Sequence, residues 1–330
     1  MTTTITTVTK PVEENSPLLP ADIELTYLAE GAANIIYRLQ SPTAPSSGPF
    51  SSTVLSTRLI RLRKALPSAQ PNKATFNYIS HTAFPLFPSS LLVSTELVRV
   101  PRAVLERENA RLLSLEALGA RSKKRHGLYL ETMEEYAFLV ADMSARTGRE
   151  VLVEFKPKWV VQSPSAPQDA RRCRTCALRL KKDGGRGFCP LDLASGEAAR
   201  IRRAVDYLLP QKPPKGFELR ELTWELEKTK LEEKVVDFLM NSELMPTLAG
   251  LQTRLDPQGP LGEMKKGFLD AMTVRDLTVF LRVDMDAPSG GVECGIGDLD
   301  MKSKENGKEA YWRDTERGLV EGGFYELDSS

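Results

Sequence analysis

The segment Glu150-Val151-Leu152-Val153-Glu154-Phe155-Lys156-Pro157-Lys158-Trp159 constrains this chain most. Val151, Leu152 and Val153 form an apolar, β-branched lead-in, and Pro157, which has no N–H to donate, ends ladder pairing there. Side chains alternate along a strand, so Glu154, Lys156 and Lys158 face one way while Phe155, Pro157 and Trp159 face the other. A strand thus ends with an acid and two ammonium groups held side by side where it opens into a loop. An ordinary solvated edge would carry the same charges, so other segments must decide between the two.

A chain of 330 residues, 41% of them hydrophobic, can bury a core sufficient for one large domain or two lobes. Its 45 basic and 44 acidic residues leave a formal charge of +1, so no overall field recruits nucleic acid or an anionic membrane. Any anion binding must come from local clusters. Four cysteines, at positions 173, 176, 189 and 294, are too few for a disulfide scaffold, and no apolar leader opens the sequence. A soluble protein of a reducing, intracellular compartment is expected, because no window approaches the roughly 20 apolar residues of a membrane span.

Residues 1–22, rich in threonine and ending in a Ser/Pro/Leu stretch, read as a disordered tail. An amino-terminal part, 23–143, is predicted to hold strands over 25–30, 34–39 and 53–62, a helix over 102–118 and a buried strand from Tyr136 to Met143. Residues 144–330 begin with the strand at 151–155, pass a Ser/Pro linker at 163–168 and a breaker cluster at 210–216, and carry helical patterns over 196–209, 222–240 and 263–272. Strands at 273–283 and 291–297 then flank a turn at 286–291. The expected class is α+β.

That hairpin has a geometric consequence. The start of its first strand faces the end of its second, so Asp276 should lie opposite Asp298 and Asp300. Mg²⁺ takes one or two such carboxylates together with phosphate oxygens; two strand or helix caps are the plainer explanation of isolated Asp residues. Gly31, Ala32, Ala33 and Asn34 between two strands form either a tight hairpin or a loop whose backbone amides approach phosphate. Arg61, on the next strand, is within reach of phosphates under such a loop. Between Arg171 and Arg186 stand seven basic residues and one acid, with Arg174 and Lys182 on one helical face with Arg171. Without interleaved aromatics for base stacking, a compact polyphosphate suits this run better than nucleic acid. Cys173 and Cys176, followed by Cys189, have the close pair of a zinc site but no evident fourth ligand, so free thiols remain the alternative.

Together these segments resemble the inositol-pentakisphosphate 2-kinase family, its fungal branch in particular. Glu154-Phe155-Lys156-Pro157-Lys158 is similar to its Glu-Ile-Lys-Pro-Lys signature, Met272-Thr273-Val274-Arg275-Asp276 to its Met-Thr-x-x-Asp segment, and Asp298-Leu299-Asp300-Met301-Lys302 to its Asp-Leu-x-x-Lys segment. Gly31-Ala32-Ala33-Asn34 matches a Gly-Gly-Ala-Asn nucleotide loop with one glycine replaced. The resemblance implies a two-lobed, distantly protein-kinase-like fold with a small β-rich N-lobe, a hinge and a larger, mostly helical C-lobe bearing the hairpin. It implies ATP and Mg²⁺ as cofactors, inositol pentakisphosphate as substrate and inositol hexakisphosphate as product. Lys156 would serve ATP phosphates and Asp276 the acceptor hydroxyl. Asp298, with Asp300 less directly, would hold Mg²⁺. Gly31, Ala32, Ala33, Asn34, Arg61, Asp142 and Met143 would line the nucleotide. Lys158, Arg174, Lys182, Lys302, Tyr311 and Arg125 would meet substrate phosphates. A monomer, nuclear or cytoplasmic, is expected. The rivals are an inositol polyphosphate kinase with another acceptor hydroxyl and a zinc-linked nucleic-acid-binding or scaffold protein built on the cysteines.

Overall fold

The structure, a computed structural model, describes residues 16–326 apart from 42, 44, 183 and 306. The expected tail at 1–15 lies outside the described residues. The chain divides into two compact units, one formed by the residues up to Thr82 with Val93–Asp142, the other by Ala83–Leu92 with the residues from Met143 onward.

In the first unit, β1 (Glu24–Glu30), β2 (Asn34–Gln40), β3 (Arg58–Arg63), β4 (Thr95–Arg99) and β5 (Tyr136–Ala141) form an antiparallel sheet in the order β1-β2-β3-β5-β4. β2 shows the expected alternation, burying Ile35, Tyr37 and Leu39. Helices α1 (Ser52–Ser56), α2 (Asn72–Tyr78) and α3 (Arg102–Ala117) complete the unit. Val104, Leu105 and Leu112 of α3 recur at helical spacing and join Ile35, Tyr37, Ile60 and Leu62 in one core. The third strand is shorter than its apolar pattern predicts. Ser51 caps a short helix by accepting from the Val54 N–H, so residues 52–56 are helical and the strand starts only at Arg58. Residues 16–22, placed in the tail by composition, are instead laid along β4. Leu19 donates from its N–H to the Arg99 carbonyl, Arg99 returns the bond to Pro17, and the Leu19 side chain is buried.

The second unit is built on a three-stranded antiparallel sheet, β6 (Glu150–Phe155), β7 (Thr278–Asp284) and β8 (Val292–Gly297), with β7 central. Around it lie α4 (Arg174–Lys182), α5 (Pro190–Leu193), α6 (Ala198–Asp206), α7 (Trp224–Asn241), α8 (Leu244–Leu255), α9 (Lys266–Asp276) and α10 (Lys308–Val320). β7 buries Val279, Leu281 and Val283 on one face and, with α7 against it, reads as a near-continuous apolar run. Its start differs from expectation: residues 273–276 close α9 rather than opening β7, so Asp276 is the last helical residue. Gly290 and Gly291 turn the hairpin with φ of 65° and 72°, and a Cβ on Gly291 would meet that of Ala287 at 2.5 Å. Among the described residues, no helix is long and apolar enough to cross a membrane.

Candidate active site

The hairpin register pairs Thr278 with Gly297, which brings Asp276 at the end of α9 beside Asp298 just past β8. β6 pairs with β7 on the other side, Phe155 against Val279, so the lysines that follow β6 reach the same place. Lys156 Nζ donates to the Asp276 carbonyl at 2.6 Å and lies 3.3 Å from Asp298 Oδ2. Lys158 Nζ donates to Asp276 Oδ1 at 2.8 Å, and Lys302 Nζ to Oδ2 at 2.6 Å. Each carboxylate oxygen of Asp276 therefore carries its own ammonium group. Burial works against the charge of Asp276, yet Lys302 and Lys158 outweigh it and hold the carboxyl down at about 2.

Two residues of this cluster, Lys158 (φ 58°) and Asp298 (φ 56°), are the non-glycine residues with positive φ among those described. The left-handed region costs a side-chain-bearing residue on the order of 1 kcal/mol or more, so the surroundings must hold it. For Lys158 that support is Gln252 of α8, wholly buried, whose Nε2 donates to the Lys158 carbonyl at 2.7 Å while its Oε1 accepts from Val160 N–H at 3.1 Å. For Asp298 it is Thr278, whose hydroxyl donates to Oδ2 at 2.6 Å. Glu154 stands next to them. Desolvation first and the charge of Asp298 second push its carboxyl up, against the pull of Lys156. Gln252 and Thr278 carried no signal in the sequence, because each acts through a partner remote along the chain.

The donor set suits a divalent cation. Asp298 offers a carboxylate whose charge is felt by Glu154, and Mg²⁺ asks the protein for one or two such groups. Asp300 contributes its carbonyl, which accepts from the Thr273 hydroxyl at 3.2 Å.

Other candidates are placed differently. Arg174 is buried, with Nε 2.5 Å from Glu316 Oε2 and its guanidinium 4.4 Å above the Trp159 ring. The other face of the cluster is Arg275, 3.4 Å from that ring and bonded at 2.7 Å to buried Asp256. Burial lowers the Arg275 guanidinium to about 10 in spite of Asp256. Arg174 is thus held in a packed pair with Glu316. Arg179 likewise spends its guanidinium on the Gly187 and Phe188 carbonyls, at 3.0 and 3.1 Å. The density of positive charge in this run is therefore partly internal scaffolding. Lys182 is exposed at the end of α4, and Tyr311 is 57% exposed on α10.

In the first unit, Gly31, Ala32, Ala33 and Asn34 make the turn between β1 and β2. Arg61 is buried on β3 with its guanidinium 4.4 Å from the Phe138 ring. Asp142 accepts from Arg38 at 2.6 Å and is the last residue of this unit, Met143 being the first of the next segment of the other. Arg125 ends a short 3₁₀ turn, Lys123–Arg125.

Arg179 also holds Gly187 and Phe188 against α4, and the sulfurs of Cys173, Cys176 and Cys189 lie within 4.8 Å of one another. Thiol hydrogen bonds from Cys173 and Cys176, helped by the Asp192 and Leu191 N–H groups, favour the Cys189 thiolate, while the same bonds and burial push the Cys173 thiol up. Three clustered sulfurs, one of them readily ionised, fit zinc with one position left for an outside ligand.

Ammonium groups converge on the carboxylates of Asp276, at the end of α9, and Asp298, just past β8, and comparison with known proteins gives the class as a kinase. The family model for inositol-pentakisphosphate 2-kinase matches residues 27–318, and the chain belongs to that family. A protein named inositol-pentakisphosphate 2-kinase from Yarrowia lipolytica is 31% identical, the match covering 94% of this chain and 95% of that one. Another of the same name, from Debaryomyces hansenii, is 23% identical over 90% of each.

Proposed function

We propose that the protein transfers the γ-phosphoryl group of ATP to the 2-hydroxyl of inositol 1,3,4,5,6-pentakisphosphate, with Mg²⁺, giving inositol hexakisphosphate, on a distantly protein-kinase-like fold. Family membership supports the reaction, and one observation carries the assignment of residues: Lys156, Lys158 and Lys302 gather on Asp276 and Asp298. Asp276 accepts the proton of the acceptor hydroxyl as that oxygen bonds to the γ-phosphorus and the bond to the bridging oxygen of ADP breaks. Lys156 steadies the transferring phosphoryl group. Lys158 and Lys302 meet phosphates flanking the acceptor, and Arg174, Lys182, Tyr311 and Arg125 are assigned to further substrate phosphates. The turn at Gly31–Asn34, Arg61, Asp142 and Met143 serve the nucleotide. Asp298 and Glu154 would hold Mg²⁺, which when bound neutralises phosphate charge during transfer.

The protein acts on this small molecule as a monomer, in nucleus or cytoplasm, without nucleic acid. The near-zero net charge supports a local rather than a global attraction for anions. Zinc at Cys173, Cys176 and Cys189 belongs to the same proposal as a structural ion.

Incubation of the purified protein with ATP, Mg²⁺ and the pentakisphosphate tests it, with phosphorus NMR of the product. A new axial 2-phosphate is expected. Phosphorylation of a different hydroxyl on another substrate would make it a different inositol polyphosphate kinase, and no phosphorylation of any inositol phosphate would overturn the activity.

A further inference from the structure

Lys64 follows β3 and has so far had no part in the reaction. Its side chain is wholly buried, with Nζ 2.5 Å from Glu30 Oε1 and donating to the Gly31 carbonyl at 2.9 Å. Its own N–H donates to the Ala33 carbonyl at 2.9 Å, and Gly31 N–H donates to the Asn34 carbonyl at the same distance. Three carbonyls of the turn are thereby occupied by donors of the chain itself. Among the described residues, the N–H groups of Ala32 and Ala33 take part in no backbone bond of this kind. A turn that cradles an anion requires this division, since an outward carbonyl would repel phosphate while outward amides attract it.

A buried ion pair is a poor way to gain stability, because removing two charges from water offsets most of their attraction. Here the cost is met by a network. Glu30 also accepts from Arg121, at 2.6 Å from Nη2 and 3.0 Å from Nε, and Arg121, equally buried, is bonded to Glu116 as well. Burial draws the Lys64 ammonium down, while its hydrogen bond and attraction to Glu30 push back. Arg121 alone would satisfy Glu30, so the distinct contribution of Lys64 is its grip on the turn.

We propose that Lys64 is a positioning residue for the triphosphate of ATP, its ammonium holding the Gly31 carbonyl of the Gly31–Asn34 turn inward so that the Ala32 and Ala33 amides are left for phosphate. It acts through the turn and does not touch the nucleotide. The proposal rests on that turn being the nucleotide loop.

Steady-state kinetics of three variants test it. Lys64→Met leaves Glu30 paired with Arg121 and should raise the KM for ATP about tenfold, with the KM for the inositide within about twofold of its original value. Arg121→Met removes the neighbouring grip on Glu30 but none on the turn, and should lower thermal stability with little change in either KM. Equal shifts in ATP KM for both variants would reduce Lys64 to one member of a structural network and overturn the proposal. Ala33→Asp sets a carboxylate in the turn and should also weaken ATP. An Ala33→Asp variant with unchanged ATP KM would remove the loop assignment itself, and Lys64 with it; a weakened Ala33→Asp beside an unaffected Lys64→Met would remove Lys64 alone. Should Lys64→Met fail to fold, Glu30→Gln/Lys64→Met removes both charges together and carries the same expected tenfold rise, whose absence would again overturn the proposal.

Discussion

Asp276 is clasped by two lysines, one on each oxygen, and this decides how it titrates. Its folded value near 2 lies below the ordinary 3.8, so the stabilisation it lends is present above about pH 4 and is lost as the pH falls towards 2. The acid limb of the rate in the free protein should therefore not come from Asp276. Lys302→Met withdraws one ammonium group and lets the carboxyl rise, so protonation of Asp276 should begin to depress kcat/KM at a higher pH than in the unaltered protein. Asp276→Asn should lower turnover by about 10² to 10⁴ while inositide binding, followed by calorimetry, stays nearly intact; full turnover would remove Asp276 from the chemistry. Lys158→Ala should chiefly raise the inositide KM, and a change confined to ATP would contradict its assignment. At this scale the sequence was readable in which residues meet, not in the geometry that joins them. Lys156 and Lys158 stand together although β6 ends at Phe155 and Lys158 is left-handed, and Asp276 stands beside Asp298 although it closes α9 rather than opening β7. The pairing of Arg174 with Glu316, 142 residues away, had no local pattern to announce it.

The elements themselves show where propensity yields to tertiary context. Amphipathic spacing located α3, α6 and α7 to within a few residues, and alternation located β1, β2, β6 and β8. Thr273 and Val274 looked like the first residues of a strand, but α9 packs on α8 and carries its helix through them to Asp276. Thr53 to Thr57 looked like strand as well, until the serine cap at Ser51 is counted. Gln252 ties α8 to the left-handed turn at Lys158. Gln252→Leu should leave the Lys158 carbonyl and the Val160 N–H without their partner, costing about 1–3 kcal/mol per buried group in denaturant unfolding and raising the inositide KM as the lysine loses its orientation. An unchanged unfolding midpoint would mean the turn holds itself. The α4–α5 loop predicts about one zinc per chain by elemental analysis, reduced in Cys189→Ser; absence of zinc from protein purified without chelator would leave three thiols.

At the scale of the molecule, a formal charge of +1 leaves polyanion binding to local lysines. Raising the salt from about 0.05 to about 0.2 M should then raise the inositide KM several-fold while leaving the unfolding midpoint nearly unchanged, since exposed charges are screened and the core is not. The interleaving of the two units could not be read from local patterns. Residues 83–92 belong with the later unit because Leu92 bridges to Ile296 on β8, a contact some two hundred positions distant that no local pattern predicts. Composition also undervalued the opening residues. Pro17 to Leu19 cover the end of β4, so a truncation beginning at Glu24 would leave the Arg99 N–H and carbonyl without their partners and bare the socket that Leu19 fills. Such a shortened protein would be prone to stick to copies of itself through that raw edge.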